Sequence, residues 1–197
     1  MCDMGLAAVA YFYVDFQDRT KRDARGLLSS LLVQLCFQSA PSFDILSRHR
    51  AKHKDVLQQA SEDALATCLR ELLEYPGQAP VFIVVDALDE YSNSPSPDSP
   101  PGGPTPRQSV LKIMKGLIEL KLQNLHFCLT SRLESDIQEV LAPLEPVTVS
   151  LHTQKGQLDD IAQYVDSVVA SDVTMKKWPE SAKKLVIGTL AKKSHGM

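Results

Sequence analysis

Residues 81–85, Val-Phe-Ile-Val-Val, form an unbroken apolar run bounded by Pro76-Gly77 before it and Asp86-Ala87-Leu88-Asp89-Glu90 after it. A run this short, rich in β-branched residues and closed on both sides by turn-forming or acidic residues, reads as a strand buried on both faces. Three more segments read as strands: residues 7–16 (AAVAYFYVDF), Leu125–Leu129 (LHFCL) and residues 147–151 (VTVSL). Helical stripes separate them. Leu27, Leu28, Leu31, Leu32 and Leu35 share one helix face, and Pro41-Ser42 interrupts it before a looser helical stretch. Ser61-Glu62-Asp63 supplies a capping residue and acids for the first turn of a helix that runs through Leu65, Cys68, Leu69, Leu72 and Leu73 to Pro76-Gly77. Val110, Ile113, Met114, Leu117 and Ile118 mark another helix, residues 134–141 a short one, Leu158, Ile161, Tyr164, Val165 and Val168 a further one, and residues 180–192 the last. Solidly apolar strands alternating with helices specify an α/β fold: a mainly parallel sheet covered by helices on both sides. Ligands in such sheets bind beyond the carboxyl ends of the strands.

Composition narrows the function classes. A net charge of -3 over 197 residues gives no footing for nucleic acid. The pairs Lys176-Lys177, Lys183-Lys184 and Lys192-Lys193 have the spacing of solvated helix faces. Cys2, Cys36, Cys68 and Cys128 show no C-x-x-C spacing and read as buried free thiols of a reducing, cytoplasmic compartment. His49 and His53 stand four apart, but no acidic or cysteine partner accompanies them on that spacing, and the spacing alone does not make a metal site. No stretch approaches the roughly 20 apolar residues of a membrane span. The apolar run after Leu6 follows Asp3 and lacks the basic start of a signal peptide. Residues 92–106 (SNSPSPDSPPGGPTP) contain almost nothing that enters a core and read as a disordered surface insertion.

Two strand ends carry candidate chemistry. In VFIVVDALDE, Asp86 directly follows a buried strand, where a carboxylate is costly unless a partner stabilises its charge. A hydrated Mg²⁺ beside a phosphate is such a partner, and Asp89 or Glu90 can orient or activate an attacking water. In LHFCLTSR, Thr130, Ser131 and Arg132 follow the next strand, where an arginine can reach a terminal phosphate. Each motif has a plainer reading: Asp86 caps a turn, Asp89 and Glu90 face water, and Arg132 pairs with Glu134 or Asp136. Two such strand ends in this order, one helix apart, favour the nucleotide reading.

At these residues the sequence resembles the NACHT-type subgroup of signal-transduction (STAND) P-loop ATPases, and within it the fungal group related to the nephrocystin-3-like N-terminal domain. AYFYVDF, ARGLLSSLLVQLC, VFIVVDALDEY, LHFCLTSRLESDI and DIAQYVDSVV with Trp178 carry the resemblance. It implies a P-loop NTPase-like three-layer sandwich and a nucleotide-binding switch. Asp86 would be the Walker B magnesium aspartate, Asp89 and Glu90 the acidic pair used for hydrolysis, and Arg132 the sensor residue, with Thr130 and Ser131 beside the nucleotide. Mg²⁺ and ATP are implied for the complete domain. The family's phosphate loop, G-x-x-x-x-G-K-[ST], occurs nowhere in these 197 residues. This chain is therefore expected to bind neither ATP nor Mg²⁺ by itself, and its sheet is expected to lack the central strand shared by the strands that end at Val85 and Leu129. Residues 1–151 would be a partial NTPase core and residues 152–197 the start of a helical segment, with Met1 falling inside a domain. The alternatives are a non-catalytic module that associates with itself or with full-length NACHT relatives, and a gene-model fragment of a longer protein.

Overall fold

The computed structural model describes residues 7–15, 17–18, 21–52, 60–95, 102–150 and 155–193. The chain falls into two compact units, Met1–Pro146 and Val147–Met197.

In the first unit, β1 (Ala8–Tyr13), β2 (Val81–Asp86) and β3 (Leu125–Leu129) form an open parallel sheet in the order β1-β2-β3. Three helices, α1 (Ala24–Gln38), α2 (Ala40–Lys52) and α3 (Glu62–Leu73), connect β1 to β2, and α4 (Pro106–Ile118) connects β2 to β3. A short α5 (Ser135–Leu141) follows β3. The register sets Ala10, Ile83 and Phe127 in one row. Ala8, Ala10 and Phe12 on β1 and Val81, Ile83 and Val85 on β2 are buried on the same face, and Leu125, Phe127 and Leu129 pack against that core. The leucine stripe of α1 closes it: Leu27, Leu28, Leu31, Leu32 and Leu35 are all at most 1% exposed. At about 1.5–3 kcal/mol per buried leucine, packing and not intrinsic helicity holds α1 in place.

Local signals start the helices where the sequence places them. The Asp23 carboxylate accepts from the Gly26 N–H and Ser61 from the Ala64 N–H. Thr105 and Gln108 form a reciprocal capping box with Pro106 in the first turn of α4. Thr105 is buried, so the expected disordered span of residues 92–106 ends in ordered helix start; residues 96–101 lie outside the described residues.

Three expectations need correction. The opposite face of the sheet is open: Tyr11 is 51%, Tyr13 57% and Phe82 40% exposed. Phe82 stacks on His126 with ring centroids 4.7 Å apart. Tyr and His at alternate positions keep polar tips in water, which an apolar reading of these strands overlooks. Second, β2 and β3 are not parted by a vacant strand position. They pair directly over Val81–Val85, extended by bonds from Val81 N to Asn124 O (2.7 Å) and Thr130 N to Val85 O (3.0 Å). A single crossover helix sets successive parallel strands side by side. Third, residues 147–150 form no strand, and Val147 is 97% exposed. Alternation makes a segment fit to be a strand, but only a partner backbone makes it one. Leu151 lies outside the described residues.

The outer edge of β1 is sealed by side chains. Gln38 Oε1 accepts from Val9 N (3.0 Å) while its Nε2 donates to Val9 O (2.8 Å). One turn earlier Gln34 does the same for Tyr11 (3.0 and 2.7 Å). A primary amide has the donor and acceptor of a peptide group, so these glutamines stand in for a neighbouring strand.

In the second unit α6 (Lys155–Ser171) packs against α7 (Glu180–Lys193), and Val169 is buried. Among the described residues no helix is long and apolar enough to cross a membrane.

Candidate functional site

The two candidate strand ends lie next to each other because β2 and β3 are adjacent and in register. Beyond Asp86 the chain turns through Ala87, which is left-handed (φ 60°, ψ 51°), into a 3₁₀ turn, Leu88–Glu90. A residue with a Cβ is strained there. The loop after β3 holds it: the Ala87 N–H donates to Thr130 Oγ1 (2.9 Å) and the Leu88 N–H to Thr130 O (2.9 Å). The Thr130 hydroxyl in turn donates to Asp86 Oδ1. Thr130 therefore fixes both the carboxylate at the end of β2 and the turn that follows.

Asp89 points back into the protein. Its side chain is 11% exposed; Oδ1 accepts from the Arg132 N–H at 2.9 Å, and Oδ2 lies 3.5 Å from Arg132 Nε. Glu90, next to it, is exposed, and so are Ser131 and Arg132, the latter's side chain at 75%. Ser131 Oγ donates to Arg132 O (2.9 Å). The structure thus brings Asp86, Asp89, Thr130 and Arg132 into one bonded group. The pairing anticipated between Arg132 and Glu134 or Asp136 belongs instead to Arg107.

Sequence reasoning missed Arg107. It is buried, although it directly follows the polar insertion. Its Nε donates to Tyr91 O (3.0 Å), Nη2 to Asp89 O (2.6 Å), and Nη1 lies 3.3 Å from both Asp136 carboxylate oxygens. A signal was present: Arg107, Val110, Leu111 and Met114 share one helix face, so a charge stands on an apolar stripe. Tyr91, which closes the acidic segment, is 1% exposed, and burial, with Asp23 nearby, pushes its phenol well above its ordinary range.

Chemically, Asp86 suits a hydrated Mg²⁺, which is commonly held by one or two carboxylates with waters and phosphate oxygens completing its shell. Among the described residues no three His, Cys, Asp or Glu side chains converge as a metal cluster. His49 Nε2 is 2.8 Å from Glu71 Oε2, and His53 lies outside the described residues. Phosphates need converging backbone amides, and the sequence carries no glycine-rich lysine loop to provide them. A cavity of about 210 Å³, lined by Ala8, Gln38, Ser39, Pro41, Tyr75 and Gln78 among others, opens at the amino-terminal end of the sheet, away from Asp86.

No curated protein and no solved structure matches the chain. A family profile described as nephrocystin 3, N-terminal, matches residues 3–132, a span that contains all three strands and ends at Arg132. The chain belongs to the nephrocystin-3 N-terminal family.

Proposed function

We propose that this chain is part of the nucleotide-binding switch of a signal-transduction ATPase of the NACHT type, that it contributes the Walker B and sensor groups, and that it has little or no ATPase activity alone. Membership of the nephrocystin-3 N-terminal family supports a nucleotide-binding or signalling role in broad terms. The observation that carries the finer reading is the bonded join of the two strand ends, Thr130 to Asp86 and Asp89 to Arg132. In this reading Asp86 would hold Mg²⁺, which when bound neutralises charge on the transferring phosphoryl group. Thr130 keeps the Asp86 carboxylate aimed past the end of β2. Arg132, with Ser131 and Thr130 beside it, would meet the terminal phosphate and report its presence. Of the acidic pair, exposed Glu90 would orient water, and Asp89 would steady Arg132 until a phosphate competes for it. Cys36 and Cys68 are buried free thiols as expected, whereas Cys128 is exposed because it stands on the open row of β3; free thiols suit a reducing cytoplasm.

The test is to join an upstream segment bearing a glycine-rich Lys-Ser or Lys-Thr loop, taken from a complete family member, to this chain and to follow thermal unfolding with Mg-ATP. A ligand at a hundred times its dissociation constant adds about 2.7 kcal/mol. The joined protein should gain such stability and lose the gain with Asp86→Ala, while the chain alone shows no shift. Hydrolysis by the chain alone would overturn its inactivity. A gain that survives both Asp86→Ala and Arg132→Ala would overturn the site.

The open aromatic face and the far edge of β3, which pairs with no strand among the described residues, favour a second reading, a module that associates with itself or with NACHT relatives. Sedimentation of the chain alone and mixed with a full-length relative separates the two: an ATP-independent complex supports association, and a monomer in both mixtures removes it.

A further inference from the structure

We infer that Arg107 is a positioning residue that clamps the acidic turn to α5 and so couples Asp89 and Glu90 to the segment carrying Arg132. Its meaning for nucleotide rests on the reading above; the clamp itself does not.

The guanidinium engages two separate pieces of chain, the acidic turn and the start of α5. Nε and Nη2 hold the carbonyls of Tyr91 and Asp89, on either side of Glu90. Nη1 faces the Asp136 carboxylate in the first turn of α5, with Glu134 Oε2 at 4.0 Å. The backbone of the same residue closes the insertion, since the Arg107 N–H donates to Ser92 O (3.2 Å). The Arg107 side chain is only 11% exposed, so these bonds form largely out of water, where an unpaired partner is costly. Asp89 is held from both ends: Arg107 takes its carbonyl and Arg132 its carboxylate. A shift of the 130–136 segment is thereby transmitted to the acidic turn along two paths, through Arg132 to the Asp89 carboxylate and through Asp136 and Arg107 to the Asp89 carbonyl. A lysine cannot serve here, because it offers a point charge where a planar fork meets three acceptor groups.

The experiment is amide hydrogen exchange on the 197-residue chain and its Asp136→Asn and Arg107→Lys variants. Asp136→Asn removes the charge at the far end of the clamp and leaves Arg107 in place, so it keeps the question open to measurement if Arg107 variants fold poorly. The amides of Leu88, Glu90, Tyr91 and Arg132, all hydrogen-bonded within the group, should exchange about tenfold faster, the factor implied by one lost charged hydrogen bond. The β2–β3 ladder should exchange at the wild-type rate, which a general loss of stability would not permit. Unchanged exchange at Arg132 and the acidic turn in Asp136→Asn, or equal acceleration throughout the sheet, would overturn the clamp. In the loop-completed protein, Asp136→Asn should lower the preference for Mg-ATP over Mg-ADP by about fivefold or more. If the completed wild type binds no nucleotide while the exchange pattern holds, the nucleotide reading falls and the clamp stands.

Discussion

Replacing Asp89 with alanine should destabilise the chain more than replacing Arg132, although the two side chains face each other. Asp89 is 11% exposed and receives the Arg132 backbone N–H at 2.9 Å, whereas the Arg132 side chain is 75% exposed with Nε at 3.5 Å. An ion pair with one member in water contributes about 0–1 kcal/mol. A hydrogen bond from a backbone N–H to a carboxylate contributes about 1.5–3 kcal/mol, and its loss leaves the donor unpaired. Asp89→Ala removes both interactions and should cost about 2–3 kcal/mol, while Arg132→Ala keeps the backbone donor and should cost less than about 1 kcal/mol. The double variant should show a coupling below about 1 kcal/mol. Urea unfolding supplies the numbers, with midpoints compared at a common slope. Equal losses for the two single variants, or a coupling above about 2 kcal/mol, would refute the reasoning, because the side-chain pair would then hold the energy assigned here to the backbone contact.

Thr130→Val keeps shape but removes the group that receives the Ala87 N–H and donates to Asp86; it should cost about 1–3 kcal/mol in the same urea assay. Burial raises the Cys68 thiol from 9.0 to about 11, with Cys36 and Glu71 adding to the effect. The unfolded chain then loses that proton at lower pH than the folded one, so stability should fall between pH 9 and 11, less steeply in Cys68→Ala, as pH-dependent unfolding would show. Replacing residues 96–101 by two glycines should change stability by no more than about 0.6 kcal/mol, because Ser92 O and the Arg107 N–H already hold the ends of the insertion together.

The helices and the strands of the first unit were legible because each carries its signal locally: a stripe with its cap, or an apolar run with its breaker. Residues 147–150 have the strand pattern but form no strand, and pattern alone does not distinguish the two. The open sheet face was misread because Tyr11, Tyr13 and Phe82 score as apolar while standing on the exposed row. At the site, DALDE and TSR were visible as strand ends, but their bonding was not, since Thr130 lies 44 residues beyond Asp86. Arg107 was hidden by its place at the end of a polar insertion, where a charged residue is ordinarily solvated.

The glutamine pair on α1 gives the sheet a direction of growth. With Val9 and Tyr11 on the β1 margin already bonded by Gln38 and Gln34, the margin left to receive a strand among the described residues is that of β3. A molecule with one receptive margin would terminate what it joined: two copies meeting edge to edge would consume both open margins, and growth would stop there. Fibres require a margin that survives each addition. Removing both amides at once would restore that second margin and with it the means of open-ended growth.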